Sequence, residues 1–159
     1  MGTQLKNTFE LLRGVGFLSQ LSDEDLAKVA DIAQVQQRDA GAVLFTEGRI
    51  CETLSVVISG SVALDMLVPR RGPIRILTVG AGEILAWSAL WGDQQMTATG
   101  TTQSDSVLVA IPGRKLRGLC DADRDIGYVV MPCMAVALWR RVLAARLQML
   151  DLFSETQPS

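Results

Sequence analysis

Residues 40–62 read AGAVLFTEGRICETLSVVISGSV, and this stretch carries the strongest indication of the fold. Short runs of Val, Leu, Ile and Thr alternate in it with turns marked by Gly41, Gly48 and Gly60. Short apolar runs that are rich in β-branched residues and bounded by glycine are typical of antiparallel strands joined by tight loops. The stretch therefore predicts a β-domain.

The same pattern extends on both sides of this stretch. The runs that predict strands are 43–46, 53–59, 61–68, 74–79, 96–102 and 105–111. The β region covers residues 35–112, and Pro112-Gly113 closes it. Many short strands at regular spacing indicate an antiparallel β-barrel or jelly roll.

Helices are predicted before the β region, within residues 4–34. Thr8 to Gly14 has the pattern of a short helix that ends at glycine. Ser22 is followed three residues later by Asp25, which is the spacing of a capping box at the start of a second helix.

Two more helices are predicted after the β region, within residues 113–153. Arg114 to Cys120 predicts a short one, and the residues from Asp123 to about Phe153 predict a long one. Residues 1–153 therefore form a single domain, followed by a polar tail at 154–159. The fold class is mainly β with flanking helices.

The long helix carries an apolar seam whose members are three and four residues apart in turn. Such an a/d pattern, held for more than three heptads, is typical of a helix that packs against another helix. The seam predicts a homodimer interface made of Tyr128, Met131, Ala135, Leu138, Val142, Ala145 and Met149.

A second apolar stripe on the same helix consists of Val136, Trp139, Leu143, Leu147 and Leu150. One stripe is expected to pack on the chain's own barrel while the other meets a partner. The alternatives are a helix folded wholly onto its own domain, or docking to a different protein chain. Pro132 should kink the helix or mark its beginning.

Composition excludes several classes of protein. The chain has no histidine, so it lacks the commonest general base and the usual ligand for zinc and haem. Cys51, Cys120 and Cys133 have no metal-ligand spacing, and we expect them to be reduced. A net charge of −2 argues against adhesion to nucleic acid or to anionic membrane. We expect a cytoplasmic protein that is not an enzyme and holds neither metal nor cofactor.

Three segments resemble the cyclic-nucleotide-binding domain of the catabolite activator protein (Crp/Fnr) family. AGAVLFTEG at 40–48 is similar to its "aGevLfreG" strand and turn, and LSVVISGSV at 54–62 is similar to its "lyvvlsGsv" hairpin. GAGEILAWSAL at 80–90 falls on its phosphate-binding cassette. The resemblance implies a jelly roll with a regulatory role and a long C-terminal dimerisation helix.

The resemblance also indicates where a ligand would bind. In the family, a glutamate of the cassette holds the ribose and an arginine after it holds the cyclic phosphate. Here Trp87 stands at the glutamate position and Met96 at the arginine position, while Glu83 matches a different family residue before the cassette helix. The candidate ligand-binding residues are Glu83, Ile84, Leu85, Ala86, Trp87, Ser88, Met96, Thr97 and Ala98.

Both replacements disfavour cAMP and cGMP as ligands, because they remove a cation and an acceptor and add bulk. The alternatives are another small anion in the pocket, or a pocket filled by Trp87 and Met96. No recognition helix follows Phe153, so direct DNA binding is not expected.

The function predicted from the sequence is that of a non-catalytic regulatory or sensor module with a protein partner that the sequence does not identify. Two alternatives stay open. One is a structural or partner-binding dimer with a filled pocket. The other is a truncated Crp/Fnr-type transcription regulator that binds a nucleotide or another small anion.

Overall fold

The computed structural model describes the backbone of residues 2–154 and the side chains of residues 7–151. The part of the predicted tail beyond residue 154 lies outside the described residues. The helices are α1 (Gly2–Arg13), α2 (Asp23–Ile32), α3 (Gly113–Ala122) and α4 (Arg124–Ser154), with short 3-10 helices at Leu18–Gln20 and Trp87–Trp91. The strands are β1 (Gln34–Arg38), β2 (Val43–Phe45), β3 (Thr53–Ser59), β4 (Val62–Val68), β5 (Gly72–Val79), β6 (Ile84–Leu85), β7 (Thr99–Thr102) and β8 (Ser106–Pro112).

Eight strands in the described part of the chain form two four-stranded antiparallel sheets. Their orders are β1-β8-β3-β6 and β2-β7-β4-β5. Apart from the β4–β5 hairpin, each strand pairs with strands that are not its neighbours in sequence, as in a jelly roll. The β3–β4 turn requires glycine, because Gly60 has a φ of +88° and a Cβ there would overlap the side chain of Ser106. The predicted fold class is confirmed.

The central strands β8 and β3 of the sheet β1-β8-β3-β6 are buried on both faces, which explains why they are almost continuously apolar. Val56 of β3 faces the helices, whereas the next residue, Val57, faces the space between the sheets. Val109 and Leu108 of β8 divide in the same way. The alternation follows from the two-residue period of a strand. It creates a helix-side core and a separate barrel core.

Two predicted boundaries are wrong. Helix α1 begins at Gly2 rather than Thr8, since good helix formers such as Gln4, Leu5 and Lys6 extend it. The strand predicted at 96–102 begins only at Thr99. Met96 instead exchanges backbone hydrogen bonds with the β2–β3 loop, donating to the carbonyl of Arg49 and accepting from the amide of Gly48, both at 2.8 Å.

Helix α4 passes through Pro132 instead of beginning there. Its start is determined by Asp123, whose carboxylate accepts a hydrogen bond of 3.0 Å from the amide of Asp125. Such a capped N-terminus satisfies amides that have no partner within the helix.

Neither predicted stripe makes the main contact between α4 and the rest of the domain. That contact uses a third face, on which Ile126, Val130 and Met134 are buried at four-residue intervals in the helix-side core. Farther along, the same face carries two polar anchors. Gln148 donates a hydrogen bond of 2.8 Å to the carbonyl of Ile76, and Arg141 reaches the cassette.

The two predicted stripes are consequently mostly exposed. Tyr128 is 81% exposed, and Met131 and Leu138 alone among the predicted dimer residues are half-buried. The expectation that one stripe packs on the barrel is therefore wrong, and so is the alternative of a helix folded wholly onto its own domain. The exposed members of the second stripe are Val136, Trp139, Leu143, Leu147 and Leu150.

By length and composition alone, one helix among the described residues could span a membrane, at Arg124–Asp151. No charged residue lies between Asp125 and Arg140.

An ion-pair network joins α2 to the start of α4. The ammonium of Lys28 lies 3.0 Å from a carboxylate oxygen of Asp25 and 3.0 Å from one of Asp123. Hydrogen bonds to these carboxylates raise the pKa of Lys28, and the bond from Lys28 lowers the pKa of Asp123. Asp25, Asp123 and Asp125 cluster here, and the lysine already satisfies two of them.

Replacing Lys28 by methionine should lower the melting temperature at neutral pH, because Asp25 and Asp123 lose their shared cation. Because the pKa of Lys28 is raised in the folded state, its contribution to stability is fully present at pH values below about 10.4, the ordinary pKa of lysine. Because the pKa of Asp123 is lowered in the folded state, its contribution to stability is fully present at pH values above about 3.9, the ordinary pKa of aspartate. The difference from the unmodified protein should therefore be largest between these limits and shrink as the pH falls below about 4.

Lys115→Met is the matched control, because Lys115 is exposed and has no carboxylate within 4 Å among the described residues. Thermal unfolding followed by circular dichroism at several pH values measures both variants. If the Lys28→Met and Lys115→Met variants had the same melting temperature at neutral pH, the ion-pair network would contribute nothing to stability.

Candidate ligand-binding site

The cassette connects the barrel core to the helices. Strand β6 is short, and its two residues point in opposite directions, Ile84 into the helix-side core and Leu85 into the barrel core. Ala86 follows in the left-handed conformation with a φ of 53°, which costs a non-glycine residue about 1 kcal/mol. The 3-10 helix Trp87–Trp91, the cassette helix, begins directly after it.

A cavity of about 440 Å3, the cassette cavity, lies between this helix and α4. Its volume falls within the range of small-molecule sites. Trp87 and Trp91 form part of its wall, with ring centroids 6.0 Å apart in an edge-to-face arrangement. The full lining is Ala86, Trp87, Ser88, Trp91, Gln94, Gln95, Met96, Thr97, Leu138 and Arg141.

Five of the nine residues predicted from the sequence share this cavity: Ala86, Trp87, Ser88, Met96 and Thr97. Leu85 and Ala98 belong to the barrel core and do not reach the cavity lining. Glu83 and Ile84 line a second cavity of about 570 Å3 on the other side of Arg141, against α4 and β5. The structure thus divides the predicted set among three environments.

Met96 and Glu83 have local structural roles. Met96 is only 8% exposed, and its sulfur lies 3.6 Å from the hydroxyl of Ser88. Glu83 accepts a hydrogen bond of 2.8 Å from the amide of Gly80, which closes the β5–β6 turn. Its other carboxylate oxygen lies 3.9 Å from the guanidinium of Arg140.

Arg141 of α4 is the functional candidate that sequence reasoning missed. Its guanidinium donates a hydrogen bond of 2.9 Å to the carbonyl of Ile84 and lies 5.8 Å from the centre of the Trp87 ring. Burial lowers the pKa of Arg141, and the negative charge of Glu83 opposes this shift. The only signal in the sequence is that Arg140 and Arg141 interrupt an apolar stretch of helix.

The lining of the cassette cavity determines which contacts a ligand could make there. Among the described residues, Arg141 is the one charged side chain in its lining, which otherwise consists of aromatic, aliphatic, amide and hydroxyl groups. Among the side chains that the structure describes, residues 7–151, no carboxylate or thiol lines it. Such a site can attract and orient a ligand, with α4 supplying part of the wall.

Comparisons with known proteins agree with this architecture. The family model described as "Cyclic nucleotide-binding domain" matches residues 35–123, which is more than half of the chain. A cGMP-dependent protein kinase of Drosophila melanogaster is 26% identical over 97 residues, which are 60% of this chain but only 13% of the kinase.

Solved structures show the same fold. A chain from Geobacter metallireducens described as a cyclic nucleotide-binding protein matches with a TM-score of 0.71 and 26% identity, over 84% of this chain and 96% of that one. The N-terminal domain of a transcriptional regulator from Streptomyces coelicolor matches with a TM-score of 0.63 and 25% identity, over 90% and 94%.

A more distant match in sequence is the regulatory subunit of a cAMP-independent protein kinase A from Trypanosoma brucei. Its TM-score is 0.76 at 14% identity, over 92% of this chain and 52% of that one. At this identity the likeness concerns the fold alone. The jelly roll, the cassette and the family model together show that this chain belongs to the cyclic nucleotide-binding domain family.

Proposed function

We propose that this chain is a non-catalytic regulatory module that does not bind cAMP or cGMP by the family's usual contacts. Its long C-terminal helix carries the state of the cassette cavity to a second copy of the chain. The observation that carries the proposal is the contact of Arg141, on α4, with the carbonyl of Ile84 and the ring of Trp87.

This contact makes the position of α4 depend on the cassette. Between Met134 and Gln148, Arg141 makes the only hydrogen bond that joins α4 to the rest of the described chain. A ligand that moved Trp87 or competed for Arg141 would therefore change how the second half of α4 sits on the barrel. The exposed apolar stripes of that half would transmit the change to a partner.

The two positions that depart from the family argue against cAMP and cGMP as ligands. The position that resembles the family's phosphate-binding arginine is Met96, which is buried against Ser88. Removing one partner of a sheltered ion pair costs about 2 to 5 kcal/mol, equivalent to about two or three decades in affinity. The position that resembles the ribose-binding glutamate is Trp87, which cannot accept hydrogen bonds from hydroxyl groups.

A relative with the same fold is consistent with this argument. The Trypanosoma brucei subunit is named as cAMP-independent. A triple mutant of it, in which one change replaces a threonine by an arginine, is described as bound to cAMP in its A site.

Calorimetric titration with cAMP and cGMP into the millimolar range tests the proposal. We expect no binding by the unmodified protein, and measurable affinity after Trp87→Glu together with Met96→Arg. A glutamate at position 87 would face Arg141, whose guanidinium now lies against the Trp87 ring. A third substitution, Arg141→Gln, should free that carboxylate for the sugar and strengthen binding further.

The matched control is Met66→Arg with Leu67→Glu, which adds the same charges on the exposed β4–β5 hairpin. It should bind no cyclic nucleotide. Micromolar binding by the unmodified protein would contradict the proposed function. A folded double variant without any affinity would contradict the placement of Trp87 and Met96 in the pocket.

A further inference from the structure

The cassette cavity contains an unbalanced positive charge. Arg141 is the one charged residue in its lining, and it has no carboxylate within 4 Å among the described residues. An arginine offers five N–H donors, and the hydrogen bond of Arg141 to the carbonyl of Ile84 is made by its Nη2. The guanidinium therefore keeps donors for another acceptor.

The one carboxylate that influences Arg141 electrostatically among the described residues does not neutralise this charge. Glu83 influences Arg141 electrostatically and lines the other cavity, which Arg141 also borders, but it does not reach the cassette cavity. Its carboxylate closes the turn at Gly80 and lies near Arg140. Two guanidinium groups thus share one carboxylate, and an excess of one positive charge remains beside the cassette cavity.

The rest of the lining indicates what kind of anion fits. Trp87 and Trp91 present an aromatic wall, and Met96 and Leu138 add apolar surface. Such a wall favours a planar apolar ligand. An arginine fork matches the two oxygens of a carboxylate.

We propose that the cassette cavity binds a small aromatic carboxylate whose anionic group is held by Arg141 of α4. A single excess charge matches a monoanion better than a phosphate monoester, which carries about −1.5 to −2 at neutral pH. The proposal rests on the proposed function, which disfavours the cyclic phosphate as the alternative monoanion. It places the anion-binding arginine on the long helix instead of on a strand, so that the ligand itself would tie α4 to the cassette.

Calorimetric titration with 2-naphthoate and with the neutral 2-naphthamide tests the role of the charge in the unmodified protein. We expect 2-naphthoate to bind at least about tenfold more tightly than the amide, because a hydrogen bond to a charged group is worth more than a neutral one. Quenching of tryptophan fluorescence by 2-naphthoate should accompany binding, since Trp87 and Trp91 line the cavity.

The variant Arg141→Met tests the residue, and Arg140→Met is its matched control on the neighbouring position. Arg140 lines only the other cavity. Affinity for 2-naphthoate should fall about tenfold to a hundredfold in Arg141→Met and stay within about twofold in Arg140→Met. Arg141→Lys, which keeps the charge without the fork, should lie between and serves if the methionine variant does not fold.

Equal affinity for 2-naphthoate and 2-naphthamide would overturn the proposal. So would an unchanged affinity in Arg141→Met, or the absence of any 2-naphthoate binding at millimolar concentration. A parallel titration with cAMP separates the two proposals. Micromolar binding of cAMP would contradict the proposed function. The comparison of 2-naphthoate with 2-naphthamide would still test whether Arg141 holds an anion.

Discussion

Replacing Val142 and Met149 by lysine together should convert the proposed dimer into a monomer. Both residues belong to the predicted dimer seam and are 44% and 56% exposed on the single chain. In a helix pair each would be buried, and four lysines per dimer would have to lose water without carboxylate partners. We expect dimer affinity to fall by at least about a hundredfold, measured by light scattering and sedimentation over a range of concentrations.

Leu138 is left unchanged in this variant because it lines the cassette cavity as well as belonging to the predicted seam. The matched control is Val43→Lys with Ile50→Lys, which changes two apolar residues that are 60% and 56% exposed on the barrel. The control should remain dimeric. A single-chain mass for the unmodified protein would overturn the dimer proposal. Partition of the unmodified protein onto lipid vesicles, abolished by the two lysines, would show instead that lipid covers α4.

Replacing Gly113 by alanine should cause a large loss of stability. Gly113 begins α3 at the point where that helix crosses the cassette helix, and a Cβ there would overlap the carbonyl group of Ala89. The obstacle is backbone, so it cannot rotate away as the end of a side chain could. We expect the free energy of unfolding to fall by about 3 kcal/mol, measured by urea denaturation.

Gly118→Ala is the control within the same helix. Gly118 is exposed, and a Cβ there meets nothing within 4 Å. Alanine should raise stability by up to about 1 kcal/mol, because glycine is a poor helix former. If both alanine variants were equally stable, the close approach of α3 to the cassette helix would be wrong.

The extent to which the site could be predicted differs between its residues. Ala86, Trp87, Ser88, Met96 and Thr97 line one cavity because they lie close together in the chain on either side of one short loop. Leu85 and Ile84 separate because neighbouring residues of a strand point to opposite faces. The predicted set contains every residue of the cassette from Glu83 to Ser88, because the alternation of side chains along β6 was not taken into account.

The long helix shows the limit of periodicity. Its two apolar stripes are visible in the sequence, but the face that docks on the barrel carries Arg141 and Gln148 among its apolar residues. From sequence alone, an arginine within an apolar helix is predicted to be exposed to solvent. The carbonyl of Ile84, which accepts its hydrogen bond, becomes visible only in the folded structure. The periodic pattern therefore indicated which residues are apolar and left open which of them are covered.

By itself, the sequence determined the jelly roll, the order of its elements and the departures at Trp87 and Met96, because runs of β-branched residues, glycine turns and residue identities are local properties. Only the tertiary structure decided that Arg141 reaches the cassette, since its hydrogen bond joins residues 57 positions apart. It also decided which face of α4 is buried. Contacts between distant segments depend on how the sheets and helices pack, and no short window of sequence contains that information.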